Sequence, residues 1–143
     1  MREVFVDTSY HVAIVDSDDR LHDAASSLGH ALLADSAILV TTDSVLVEFL
    51  TFLSAGGNHV RRAARRYVDA VHAHPSFIVI PQSPPLFSAA LDLYSKRPDK
   101  TYSMVDCISM VVCEERGITD VLTYDHDFEQ EGLRALLREH RSR

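Results

Sequence analysis

Four acidic residues stand in short apolar-to-polar motifs spread along the chain. They are Asp7 in Val6-Asp7-Thr8-Ser9, Glu48 in Leu46-Val47-Glu48-Phe49, Asp106 in Ser103-Met104-Val105-Asp106-Cys107, and Asp125 in Thr123-Tyr124-Asp125-His126-Asp127-Phe128. Carboxylates brought together repel one another unless cations neutralise them, and hard oxygen ligands suit Mg²⁺ or Mn²⁺. Such a centre binds a phosphodiester through metal, polarises it and generates hydroxide from bound water for in-line attack. Three of the acids also have a plainer reading. Asp7-Thr8-Ser9 is an ordinary N-cap sequence, Ser103 and Asp106 fit a capping box with Asp in place of Glu, and Glu48 could face solvent. Which reading holds depends on whether the elements deliver the acids to one place.

The elements do so if the sheet is parallel. Val4-Phe5-Val6 is apolar without alternation, the pattern of a strand buried on both faces between helices. Its exit at Asp7 lies where open α/β sheets bind ligands, outside the carboxyl ends of the strands. Tyr10 to Val15 reads as a helix, and Leu21 to Leu33 as a second one at helical spacing, so a helical hairpin follows the first strand. Ala37–Thr41 is the second strand, and Thr42-Asp43-Ser44 opens a helix that carries Glu48 and ends at Gly56-Gly57-Asn58. The helix from His59 to His72 carries Arg61, Arg62, Arg65 and Arg66, a solvated face or a phosphate contact. Phe77–Ile80 is a third strand stopped by Pro81, and Pro84-Pro85 start a helix to Tyr94. Ser103 to Gly117 is a helix apolar almost all round, hence central. Asp120–Tyr124 is the fourth strand, and the tail holds one more short edge strand or helix. In such a sheet Asp7, Glu48, Asp106 and Asp125 share one edge, and four capping coincidences there explain less than one site does.

Length and composition fit this plan. With 143 residues, one domain over 1–137 is expected, followed by a basic end, 138–143, that frays. The formal net charge of -7 argues against a broad nucleic-acid surface held by charge alone, so a polyanion would need metal or a local basic patch. Cys107 and Cys113, six positions apart on one helix, are separated by about 9 Å of rise, too far for a disulfide. They read as buried thiols in a reducing compartment. Nothing resembles a signal peptide or a membrane span, and a cytoplasmic location with no membrane association is expected.

Taken together, the motifs at Asp7, Glu48, Asp106 and Asp125 resemble those of the PIN-domain nucleases, most closely the VapC toxins of bacterial toxin–antitoxin pairs, over nearly the whole chain. The resemblance implies a three-layer α/β/α sandwich with a central parallel sheet and an Mg²⁺-dependent endoribonuclease, with Mn²⁺ as a substitute. It makes Asp7 and Asp106 the main metal ligands, with Glu48 and Asp125 completing the acidic site and Asp125 also a ligand. Thr8, Ser9, Ser103 and Thr123 become supporting hydroxyls that bond carboxylates or backbone. Asp127 either shares the second metal position with Asp125 or caps the tail, and His126 is read as a loop residue, because metal-bound water makes a histidine base unnecessary. The family also implies an RNA substrate, a small antitoxin whose tail covers the acidic edge, and a toxin homodimer. The segment Phe49 to Leu53 and the early helical hairpin are apolar surfaces that could serve those contacts.

Two other readings are open from sequence. One is a phospho-acceptor or phosphatase-type protein with Asp7 as nucleophile. That class would place an acid two residues beyond Asp7 or a Lys after a later strand, and Ser9 occupies the first of these positions. The other is a catalytically silent PIN-like module that acts through partner binding.

Overall fold

Val4, Phe5, Val6, Leu39, Val40, Val121 and Leu122 lose all contact with solvent. The structure, a computed structural model, describes residues 1–141, and it turns these apolar runs into the centre of one sheet. The chain runs β1 (Glu3–Val6), α1 (Thr8–Val15), α2 (His22–Ala34), β2 (Ile38–Thr42), α3 (Asp43–Leu53) and α4 (Gly57–Ala73). It continues through β3 (Phe77–Ile80), α5 (Pro84–Lys96), α6 (Met104–Arg116), β4 (Asp120–Leu122), α7 (Asp127–Gln130), β5 (Arg134–Ala135) and α8 (Leu136–Arg141). The strands lie in the order β3-β2-β1-β4-β5, and every neighbouring pair is parallel.

Because strand side chains alternate between faces, successive residues feed two cores. Phe5, Val40 and Val121 face a layer built from α5 and α6, with Leu86, Ala90, Ile108 and Val112. Val4, Val6, Leu39 and Leu122 face the other layer, where α1, α2 and α8 supply Tyr10, Ala13, Ala25, Leu32 and Leu137. The result is the three-layer α/β/α arrangement expected from the sequence. Each large apolar side chain so buried contributes about 1.5–3 kcal/mol. In α6 every residue from Cys107 to Cys113 is buried, as its nearly uninterrupted apolar sequence requires. Both cysteines are free thiols. Among the described residues no helix is long and apolar enough to cross a membrane.

Strand order fixes where a ligand can sit. From β1 the chain winds outward through β2 to β3, then crosses back to β4 on the other side. A crevice therefore opens between the carboxyl ends of β1 and β4, the switch point at which open α/β sheets bind ligands.

Several boundaries differ from the sequence reading. α1 begins at Thr8, directly after Asp7, and α4 begins at Gly57, whose φ of +89° suits only glycine well. β4 ends at Leu122 instead of Tyr124, because the Tyr124 amide turns to the Ser9 hydroxyl at 3.3 Å. The tail forms both a strand and a helix: β5 pairs with β4. α8 includes position 138, where Arg138 Nε meets Glu129 Oε1 at 3.1 Å; residues 142 and 143 of the expected basic end lie outside the described residues.

Gly29 shows how closely α2 seats α1. A Cβ at this position would collide with the Tyr10 hydroxyl. Gly29→Ala should lower unfolding free energy by about 1–2 kcal/mol in denaturant titrations, since overpacking outweighs a helix-propensity gain of about 1 kcal/mol. A Tyr10→Phe background, which removes the colliding oxygen, should recover part of that loss.

Candidate functional site

Asp7 leaves β1 at the switch point and occupies the N-cap position of α1, yet its side chain makes no cap hydrogen bond. Its Oδ2 instead accepts the Thr123 hydroxyl at 2.8 Å. Only 6% of the residue is exposed. Burial pushes the Asp7 carboxyl up to about 7, against the opposing pull of the Thr123 hydroxyl and the Thr8 amide, with Asp106 and Glu48 adding like-charge repulsion.

The other acids surround it. Glu48, at the second turn of α3, accepts the Thr8 hydroxyl at 2.5 Å, so it faces the strand ends and not open solvent. Asp106 closes a capping box on α6: its Oδ2 accepts the Ser103 amide and its own amide donates to the Ser103 hydroxyl, each at 3.0 Å. The cap engages Oδ2 alone. Burial raises the Asp106 carboxyl to about 6, with Asp125 and Glu48 contributing repulsion against the Ser103 hydrogen bonds. Asp125 follows β4; its amide donates to the Thr123 hydroxyl at 3.0 Å, and its Oδ1 accepts the Asp127 amide at 2.9 Å. Thr123 thus holds Asp7 with its proton and the Asp125 loop with its lone pair. The structure brings Asp7, Glu48, Asp106 and Asp125 to the same edge, with Thr8, Ser9, Ser103 and Thr123 as their immediate hydroxyl neighbours.

Asp125, His126 and Asp127 form a second grouping on the outer side, with ligand atoms that lie within 4.8 Å of one another. His126 Nδ1 is 3.9 Å from Asp125 and its Nε2 3.8 Å from Asp127, and its side chain is 61% exposed. The Asp127 side chain is only 15% exposed, so it points inward beside Asp125 while His126 faces out.

The two ends of the sheet handle charge in opposite ways. At the amino-terminal end, Glu3 meets Arg116 at 2.9 Å, and Asp120 meets Arg2 at 2.7 Å and Arg134 at 3.1 Å. At the carboxyl end, Asp7, Glu48 and Asp106 have no Lys or Arg ion pair among the described residues. Hard oxygens facing one another, two of them with raised pKa values, are a donor set that fits a divalent cation and whose repulsion such a cation would relieve.

One buried network behind the acids gave no chemical signal in the sequence. His11 is fully buried, with Nδ1 at 2.6 Å from the Tyr67 hydroxyl and Nε2 at 3.2 Å from that of Thr41. Thr41 donates its proton to the Val6 carbonyl at 2.9 Å. His11 must then donate from Nε2 and accept at Nδ1, a neutral tautomer consistent with burial that pushes its pKa down to about 3. The network ties α4 and β2 to the residue preceding Asp7. A lone polar side chain within the apolar helix Tyr10–Val15 was the available hint.

The carboxyl shifts make stability depend on pH. Folded Asp7 keeps its proton up to about 7, whereas its ordinary value is 3.8. The stabilisation is complete below the unfolded value and is lost as pH rises through the folded one. In metal-free buffer, unfolding free energy should therefore fall by a few kcal/mol, at about 1.36 kcal/mol per unit, between pH ~4 and ~7. Asp7→Asn should flatten this fall in chemical denaturation across the same range. Thr123→Val, which removes the hydroxyl that orients Asp7, should weaken Mn²⁺ binding about 10–100-fold in calorimetry, the usual cost of losing a group that orients a ligand.

The comparisons with known proteins agree with this geometry. The family model described as PIN domain matches residues 4–132. The 23S rRNA-specific endonuclease VapC20 of Mycobacterium tuberculosis, in strains CDC 1551 / Oshkosh and ATCC 25618 / H37Rv, is 29% identical over 132 residues, 91% of this chain and 95% of the relative. The crystal structure of M. tuberculosis VapC20, described as a sarcin-ricin loop cleaving toxin, superposes with a TM-score of 0.79 at 26% identity, over 92% of this chain and 97% of that one. With a family match that runs from β1 to beyond α7 and includes all four acidic motifs, the chain belongs to the PIN-domain family.

Proposed function

We propose that the protein is a divalent-metal-dependent endoribonuclease, the toxin of a toxin–antitoxin pair, that hydrolyses RNA phosphodiesters with water activated at the acidic edge. The observation that carries this reading is the gathering of Asp7, Glu48, Asp106 and Asp125 at the β1/β4 switch point, where Asp7 and Asp106 sit with raised pKa values. The VapC20 relatives, named as 23S rRNA-specific endonucleases, support RNA as the substrate class and make ribosomal RNA the first substrate to try.

In this reading Asp7, Asp106 and Asp125 hold Mg²⁺ or Mn²⁺, with Glu48 completing the site and Asp127 beside Asp125. The metal supplies Lewis acidity and lowers the pKa of its water toward neutrality. The chain's own part is orientation. Thr123 fixes the Asp7 carboxylate, Thr8 fixes Glu48, Ser103 fixes Asp106 through the cap, and Ser9 holds the Tyr124 backbone beside Asp125. Metal binding must displace the Asp7 proton, so affinity should rise with pH through the neutral range.

The partner reading also rests on the family. Phe49 is fully buried, but Val47 is 62% and Phe52 68% exposed on α3, the helix that carries Glu48. They leave apolar surface beside the acidic edge that fits an antitoxin segment. On α5, Phe87, Leu91 and Tyr94 form an exposed apolar stripe suited to a second copy. A cytoplasmic location goes with this reading, because ribosomal RNA lies there.

The decisive experiment combines Mn²⁺ calorimetry with cleavage of ribosomal RNA by the wild type, Asp7→Asn and Asp106→Asn, with circular dichroism to confirm folding. The wild type should bind metal and cut, and both variants should remain folded, bind at least about tenfold more weakly and leave the RNA intact. Intact RNA with the wild type, in the presence of bound Mn²⁺, would favour a silent binding module instead.

A further inference from the structure

Beside the acids lies a basic cluster that the metal chemistry does not use. Tyr124 is the residue before Asp125, and its amide is held by Ser9. The guanidinium carbon of Arg20 lies over its ring at 4.8 Å from the centroid, and that of Arg138 at 5.3 Å. Arg20 comes from the turn between α1 and α2, and Arg138 from α8, so two distant segments converge on one ring. Arg138 also donates to the Tyr124 carbonyl at 3.3 Å and pairs with Glu129 at 3.1 Å, with 40% of its side chain exposed. Arg20 is exposed. Two guanidinium groups thus meet one ring next to the carboxylate site, in a chain of net charge -7, with Glu129 sharing the charge of Arg138.

We propose that Arg20 and Arg138, held on Tyr124, bind a backbone phosphate of the RNA on the β4 side of the acidic edge and so set which phosphodiester lies over Asp7 and Asp106. The inference rests on the nuclease reading for its substrate class. Guanidinium groups present planar N–H forks that match phosphate oxygens. Stacking on an aromatic ring restricts their rotamers beforehand, which lowers the ordering cost of binding. The ring carries guanidinium groups over it, so the cluster offers N–H donors in place of a bare π-face, and a phosphate suits it better than a stacked base. Phosphate contacts set register without reading sequence. In the other basic cluster, on α4, Arg65 pairs with Asp69 at 3.1 Å and Arg61 donates to the Ser54 carbonyl at 3.0 Å.

The test measures binding of a fluorescein-labelled single-stranded RNA oligonucleotide by anisotropy across a salt series, with Ca²⁺ replacing Mg²⁺ and folding checked by circular dichroism. The variants are Arg20→Gln/Arg138→Gln and Arg20→Lys/Arg138→Lys. The Gln pair should bind about tenfold more weakly, as expected on losing a charge-assisted contact, and its log K against log salt slope should shrink by about 0.7 for the lost phosphate. The Lys pair, which keeps the charge, should keep the slope. If the Gln pair matches the wild type, or if the Lys pair loses the slope as the Gln pair does, the phosphate role is overturned and the nuclease reading is untouched. If the slope falls as expected but wild type with Mn²⁺ cuts no RNA, the phosphate role stands and the nuclease reading falls. Absence of RNA binding by the wild type overturns both.

Discussion

The structure turns on one buried hydrogen bond, from the Thr123 hydroxyl to the Asp7 carboxylate across the ends of β1 and β4. It joins the two strands that flank the switch point. It also keeps an acid where the local electrostatics disfavour its charge. The α1 macrodipole, at whose start Asp7 stands, favours an anion by about 0.3–1 kcal/mol. Burial opposes it and wins, since the carboxyl is held near 7 and not below 3.8. A carboxylate so placed is poor as a cap, and a nearby positive charge would stabilise its ionised form.

Around that bond the sheet divides its work. Acids at the amino-terminal end are matched with arginines and serve to close the fold: Glu3 joins α6 to β1, and Asp120 ties β4 to Arg2 and to Arg134 of β5. Acids at the carboxyl end are oriented by hydroxyls and amides, which hold position without neutralising charge. The same residue type thus has two roles, decided by the partner each end offers. Behind the second group, the neutral His11 network anchors the strand leading to Asp7 through Thr41 and Val6, so the first acid rests on a rigid strand end.

Much of this was legible in the residues. The non-alternating runs Val4-Phe5-Val6 and Phe77-Ile78-Val79-Ile80 announce parallel strands, and Ser103 with Asp106 announces a cap that the structure contains. The apolar helix around Met110 is as central as its composition requires. Other features depended on contacts between distant segments. Nothing local distinguishes an Asp7 that caps α1 from one that ignores it; the difference is Thr123, far along the chain. Tyr124 reads as strand because it is aromatic and follows Val121 and Leu122, but a side-chain hydroxyl takes its amide out of the ladder. Arg20 and Arg138 look like an ordinary turn residue and a basic tail until α8 folds back onto Tyr124.

On the nuclease reading proposed above, the capping box at Asp106 bears on how the protein can be silenced by mutation. Replacing Asp7 relieves an unfavourable buried charge, so a chain silenced there, on that reading, folds at least as well as its parent near neutral pH. Replacing Asp106 relieves a smaller buried-charge penalty and also unties the capping box at the first turn of the most deeply packed helix, at a cost of about 1 kcal/mol. Under selection for harmless but persistent protein, escape variants should gather at the first acid. Those at the helical acid should be underrepresented, because on that reading its carboxylate serves the fold as well as the chemistry.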